Sequence, residues 1–154
     1  MIFVECKPDA LLARELTGRP RREFNHSFKG KYEAIYLLSR QTGSIALLDE
    51  DPGAVQPRYL QALREEQSLG GHGLKVLRHE PRQNRVVLLC PRLEEWVIGA
   101  AEQAGVDLKT PYNLPTNAVE LHKEINVDLR KFQRLVEDLK DCERFRQLAR
   151  QLRS

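Results

Sequence analysis

Cysteine is scarce in this chain of 154 residues: Cys6, Cys90 and Cys142 are odd in number, lie far apart and form no Cys-x-x-Cys pair. That excludes a disulfide framework and a zinc ribbon, and points to a reducing, cytoplasmic setting. No apolar run approaches a membrane span, and the start lacks the order of a signal peptide, so no membrane role is expected. There is no Gly-x-Ser-x-Gly elbow and no dinucleotide fingerprint. The Gly30-Lys31 pair is not a P-loop, because Asn25 stands where the leading glycine belongs. His26, His72, His79 and His122 show no metal-ligand spacing, although His26 and His79 fall where they could approach a sheet's active edge. The net charge of +3 is too small to define a nucleic-acid partner by itself.

What is present is an ordinary globular balance, 41% hydrophobic and 31% charged, enough for one core. Met1–Glu5 and Ser44–Leu48 are short continuous apolar runs, the mark of buried parallel strands. Between them, Pro8–Leu16 reads as a helix stopped by Gly18, Arg22–Phe28 as a strand, and Gly30–Gln41 as a helix. That second helix turns Ile35, Leu38 and either Tyr32 or Tyr36 inward. The rhythm strand, helix, strand, helix, strand predicts a parallel sheet with right-handed crossovers. Pro57–Leu69 reads as a further helix, and Leu74–Leu77 and Val86–Cys90 as strands. A helix after Pro91 carries Leu93, Trp96, Val97 and Ala100 on one stripe. A loop over Asp107–Thr116 leads to a capping box, Asn117 with Glu120, and then to a helical tail whose stripe runs from Leu129 to Leu152.

The acids carry the functional signal. Glu5 closes the first apolar run and Asp49-Glu50-Asp51 closes the run from Ser44. Ligands of open α/β sheets bind at the carboxyl ends of strands. Carboxylates crowded there repel one another unless a hard cation lies between them, and Mg²⁺ takes oxygen ligands. Alternation along a strand would point Asp49 and Asp51 to one side. Asp9 and Glu94 stand at helix starts just after strands, where they can extend the cluster or simply complement a helix dipole. The same negative charge would raise the pKa of Cys6 and discourage thiolate chemistry. Two basic clusters, Arg19 to Lys31 and Lys75 to Arg92, could track a phosphate backbone or remain solvated surface.

The order Val4-Glu5-Cys6-Lys7-Pro8-Asp9, then Leu48-Asp49-Glu50-Asp51-Pro52-Gly53, resembles the Toprim domain of topoisomerases, primases and the overcoming-lysogenization-defect nucleases. The run Cys90-Pro91-Arg92-Leu93-Glu94-Glu95-Trp96 is similar to a segment of small stand-alone Toprim-like proteins. The resemblance reaches to about Gly105 and implies an α/β Toprim-like domain over 1–105, with 106–154 a helical extension packed on the same core. It implies Mg²⁺ or Mn²⁺ held by Glu5, Asp49 and Asp51, with Asp9 and Glu94 completing the shell, and Lys31 (or, less directly, Lys29) on the phosphate. One departure stands out: Cys6 replaces the glycine usual after the glutamate.

The resemblance therefore implies metal-dependent hydrolysis of phosphodiesters in DNA or RNA, with nucleic acid as partner. The alternative is a non-catalytic Toprim-fold subunit that binds nucleic acid or protein. A phosphoacceptor receiver domain also gathers acids at strand ends, but it wants paired acids at the first strand and one aspartate later, the reverse of this arrangement.

Overall fold

The computed structural model describes residues 1–26 and 30–153. Among the described residues the strands are β1 (Ile2–Val4), β2 (Phe24–His26), β3 (Ile45–Asp49), β4 (Arg64–Leu69), β5 (Leu74–His79) and β6 (Asn84–Leu89). The helices are α1 (Lys7–Thr17), α2 (Lys31–Ser39), α3 (Arg58–Gln61), α4 (Leu93–Ala104), α5 (Ala118–Val127), α6 (Arg130–Leu139) and α7 (Glu143–Arg153). One sheet runs in the order β2-β1-β3-β6-β5-β4. Its first four strands are parallel, while β5 and β4 are antiparallel to their neighbours. The protein is thus α/β with a mostly parallel sheet and a helical C-terminal segment, and no described helix is long and apolar enough to cross a membrane.

Alternation along the central strands divides the core in two. Ile2, Val4, Ile45, Leu47, Val87 and Leu89 face one layer, which is built from α1 and from α4 through α7. Phe3, Ala46, Leu48, Val86 and Leu88 face the other, which is covered mainly by Ala34, Ile35 and Leu38 of α2 and Leu60 of α3. Helix α1 leads from β1 outward to β2, and α2 leads back across β1 to β3. The chain reverses direction there, so its two crossover helices fall on opposite faces and leave a crevice between the ends of β1 and β3.

Residues 106–153 complete the larger layer. Leu121, Ile125, Phe132, Leu135, Val136, Phe145 and Leu148 belong to the same buried cluster as Ile2 and Leu12. Trp96, fully buried, is clamped there: its ring stacks on Phe145 at 5.3 Å, and its Nε1 donates to the His72 carbonyl at 2.8 Å. Asn117 caps α5 by accepting from the N–H groups of Val119 and Glu120.

Several expectations need correction. The helix expected over Pro57–Leu69 is four residues long, and Arg64–Leu69 is instead the edge strand β4. Its Arg-Glu-Glu-Gln composition favours a helix in isolation, but pairing with β5 decides the outcome, and its charges keep the open edge soluble. Tyr32 and Tyr36 are 57% and 58% exposed, so neither joins the core. His79 ends β5 opposite Asn84, the first residue of β6, which puts it at the amino edge of the sheet, away from the acids. The strand expected over Arg22–Phe28 is β2; Ser27, Phe28 and Lys29 lie outside the described residues.

Candidate metal centre

Glu5 follows β1 directly and Asp49 is the last residue of β3, so both emerge at the carboxyl edge, on either side of the reversal point. Asp51 arrives by a different route. It lies beyond the strand with φ of +49°, a left-handed conformation that aspartate tolerates. Its N–H donates to the Pro91 carbonyl at 3.0 Å, and its own carbonyl accepts from Ala54 N–H, closing a turn over Pro52 and Gly53. Gly53 supplies the φ of +85° that such a turn needs. Simple alternation from Asp49 therefore does not place Asp51; the turn does. The ligand oxygens of Glu5, Asp49 and Asp51 nevertheless lie within 4.8 Å of one another, an arrangement that can hold a metal ion.

Each acid is pinned. Glu5 Oε1 accepts from the Asp49 N–H at 3.0 Å. Asp49 Oδ1 accepts from the Leu93 N–H at 2.9 Å, so the first turn of α4 is aimed at the cluster with the positive end of its dipole. Lys31, the first residue of α2, donates through Nζ to the carbonyls of Asp49 at 2.7 Å and Glu50 at 3.1 Å. The same Nζ stands 3.5 Å from Asp51 Oδ2. Arg92 Nε reaches Asp51 Oδ1 at 3.3 Å from the other side.

Asp9 and Glu94, also expected as ligands, are near enough to act on the charges of Glu5 and Asp49, but the ligand atoms that converge are those of Glu5, Asp49 and Asp51. Asp9 is 2% exposed; its Oδ2 accepts from Cys6 Sγ at 3.1 Å, and its Oδ1 is buried with no hydrogen-bond partner. Glu94 is 6% exposed and places Oε1 2.7 Å from His122 Nδ1. Cys6 caps α1 with an extended backbone, φ of −148°, which asks for no glycine. Burial, reinforced by Asp9, drives its thiol far above the usual range.

Burial dominates the electrostatics, and mutual repulsion adds to it. Desolvation and the Glu5 charge push Asp9 up to about 7. Desolvation, then Asp9 and Glu5, push Asp49 up to about 9. Glu5 is raised by burial, against the opposing pull of the Asp49 N–H and of Lys31. Without a cation these acids compete for protons; a divalent ion would relieve all of them together. An all-carboxylate donor set, with an unpartnered Asp9 oxygen among the acids that act on it, suits a hard cation such as Mg²⁺ or Mn²⁺.

Two participants were not legible in the sequence as members of the site. Arg92 stood out only as one charge in a basic cluster. His122 comes from α5, 28 residues beyond Glu94, and no local spacing links the two. Compared with known proteins, the chain matches no family model, no curated protein and no solved structure.

Proposed function

We propose that this protein is a Toprim-like, divalent-metal-dependent nuclease that hydrolyses phosphodiester bonds in DNA or RNA. The observation that carries the reading is the convergence of Glu5, Asp49 and Asp51 at the reversal point of a mostly parallel sheet, with Lys31 over the same rim. Glu5, Asp49 and Asp51 would hold Mg²⁺ or Mn²⁺, with Asp9 and Glu94 completing the shell directly or through water. When bound, such an ion supplies an activated water and offsets charge on the leaving oxygen.

The chain's own residues contribute orientation and charge. The Leu93 and Asp49 N–H groups fix two of the carboxylates, so little reorganisation is needed when charge shifts. Lys31 has two of its three N–H bonds committed to carbonyls and its remaining side toward Asp51, where it can turn a proton to a phosphate oxygen. Arg92, half-exposed beside Asp51, offers a second cation to the same phosphate.

A second reading, a non-catalytic subunit that binds nucleic acid or protein, is favoured by one fact. Asp49 caps α4 and Glu5 accepts from the strand end, so both acids also serve the fold. Melting curves with and without Mn²⁺, run beside cleavage assays on single- and double-stranded substrates, separate the two. The nuclease reading expects a Mn²⁺-dependent rise in Tm and cleavage that Glu5→Gln abolishes. A wild-type protein that cuts nothing under any metal supports the binding reading.

A further inference from the structure

Beside the acidic centre, a groove of about 810 Å³ runs between α1 and the start of β2. Lys7, Leu11 and Arg14 project from one face of α1 at helical spacing, and Arg21 and Arg22 close the opposite wall. All four cations are exposed, and no carboxylate of a described residue lines the groove. None of the four forms an ion pair with a described residue, although most of the cations around the acidic centre and along the β4 edge do. The floor is apolar. Leu11, Phe24 and Leu129 are half-buried there, at the margin where the large core runs out of covering helix.

We propose that this groove carries a single strand of nucleic acid toward the acidic centre. The choice of occupant rests on the nuclease reading; the groove itself does not. Four uncompensated cations over an apolar floor match a chain that has a charged backbone on one side and flat apolar faces on the other. A duplex hides its base faces and would leave Leu11, Phe24 and Leu129 without partners. The direction follows from the chain: Lys7 stands two residues beyond Glu5, and Arg14 lies about 10 Å further along α1 at 1.5 Å per residue. A strand laid along Arg21, Arg14 and Lys7 therefore arrives at the triad's edge of the sheet.

The test is fluorescence anisotropy with a labelled single-stranded oligonucleotide in EDTA, so that binding is read without metal or cleavage. Four phosphate contacts give a slope of log affinity against log salt of about −2.8, and the double variant Arg14→Glu/Arg21→Glu should halve it to about −1.4. That variant should also lower affinity about tenfold or more at moderate salt. Lys140→Glu/Arg146→Glu, in a separate cleft against Leu16, should change neither quantity. Equal loss in both variants, no loss in either, or duplex binding as tight as single-strand binding overturns the proposal. Displacement of the oligonucleotide by polyglutamate at equal charge overturns it in favour of an acidic peptide. The Mn²⁺ melting shift is read independently, so the groove can fail while the metal centre stands, and the reverse.

Discussion

Asp49 has two tasks that pull against each other. It caps the N-terminus of α4, which needs only an acceptor oxygen, and burial, reinforced by the neighbouring acids, pushes its pKa up to about 9. Asp49→Asn keeps an acceptor and nearly the same volume while removing a carboxyl that must take up a proton to be buried in the apo fold. The apo protein should gain on the order of 1 kcal/mol, about 2–4 °C in Tm. The Mn²⁺-dependent rise in Tm should shrink sharply, because a ligand charge is gone. Lys31→Ala should leave a Mn²⁺-dependent rise in place, since the ammonium is no metal ligand, and slow cleavage, since its uncommitted N–H is the one that faces the phosphate. At this scale the sequence was most informative about Glu5 and Asp49, because an acid that ends a buried strand must emerge at its tip. It was least informative about Arg92 and His122, whose roles depend on contacts between segments far apart in the chain.

Acidity ties these residues to a measurable pH dependence. Asp9 and Asp49 titrate in the folded chain at about 7 and about 9, against an ordinary value of 3.8. The folded state therefore holds more protons than the unfolded chain across that range. Stability from this source is full at low pH and is lost as pH rises through the folded values. Apo protein in EDTA should melt progressively lower between about pH 4 and pH 9. Mn²⁺ must displace the same protons, so its apparent affinity should rise over the same window. Thermal melts across pH, with EDTA and with Mn²⁺, should show the two curves diverging; parallel curves would show that the cluster does not bind the ion.

Whole elements obey partners more than propensity. The β4 segment, Arg64-Glu65-Glu66-Gln67-Ser68-Leu69, has a helix-former's composition, yet it pairs with β5 and locks Glu66 to Arg78 at 2.8 Å. Its only near neighbours in sequence that announce a hairpin are the glycines at 70, 71 and 73, which are equally good helix stops. The parallel strands were legible because burial on both faces leaves an unbroken apolar run. The half-exposed edge was not, because water permits almost any residue there. Gly73 shows what the turn demands. It has φ of +63°, and a Cβ built on it would lie 2.9 Å from Trp96 Cδ1. Gly73→Ala should therefore cost about 1–3 kcal/mol through strain and displacement of the indole. A chemical denaturation midpoint, followed by Trp96 fluorescence, measures both effects.

At the scale of the molecule, the C-terminal helices and the acidic centre are parts of one structure. Helices α5 to α7 bury Phe132, Leu135, Phe145 and Leu148 against Leu12, Leu16 and Trp96, in the same cluster that backs β1 and β3. Arg144 Nη1 donates to the Trp96 carbonyl at 2.9 Å, and Arg153 donates to the Leu16 carbonyl at 2.7 Å, so α7 grips both helices that start at the site. His122 reaches Glu94 from α5. Removing residues 106–154 would leave α1 and α4 on the sheet but strip α5 to α7 from them, exposing Trp96 and the face of α1 that packs on α6 and α7. The loss far exceeds the stability margin of an ordinary domain. A chain ending at Gly105 should keep secondary structure by far-UV circular dichroism while losing its near-UV signal and binding ANS, the marks of lost specific packing. It should also show no Mn²⁺-dependent rise in Tm, because Glu5, Asp49 and Asp51 converge only while β1, β3 and α4 are held in register. If the shortened chain melts cooperatively and still responds to Mn²⁺, the extension serves a partner and not the core.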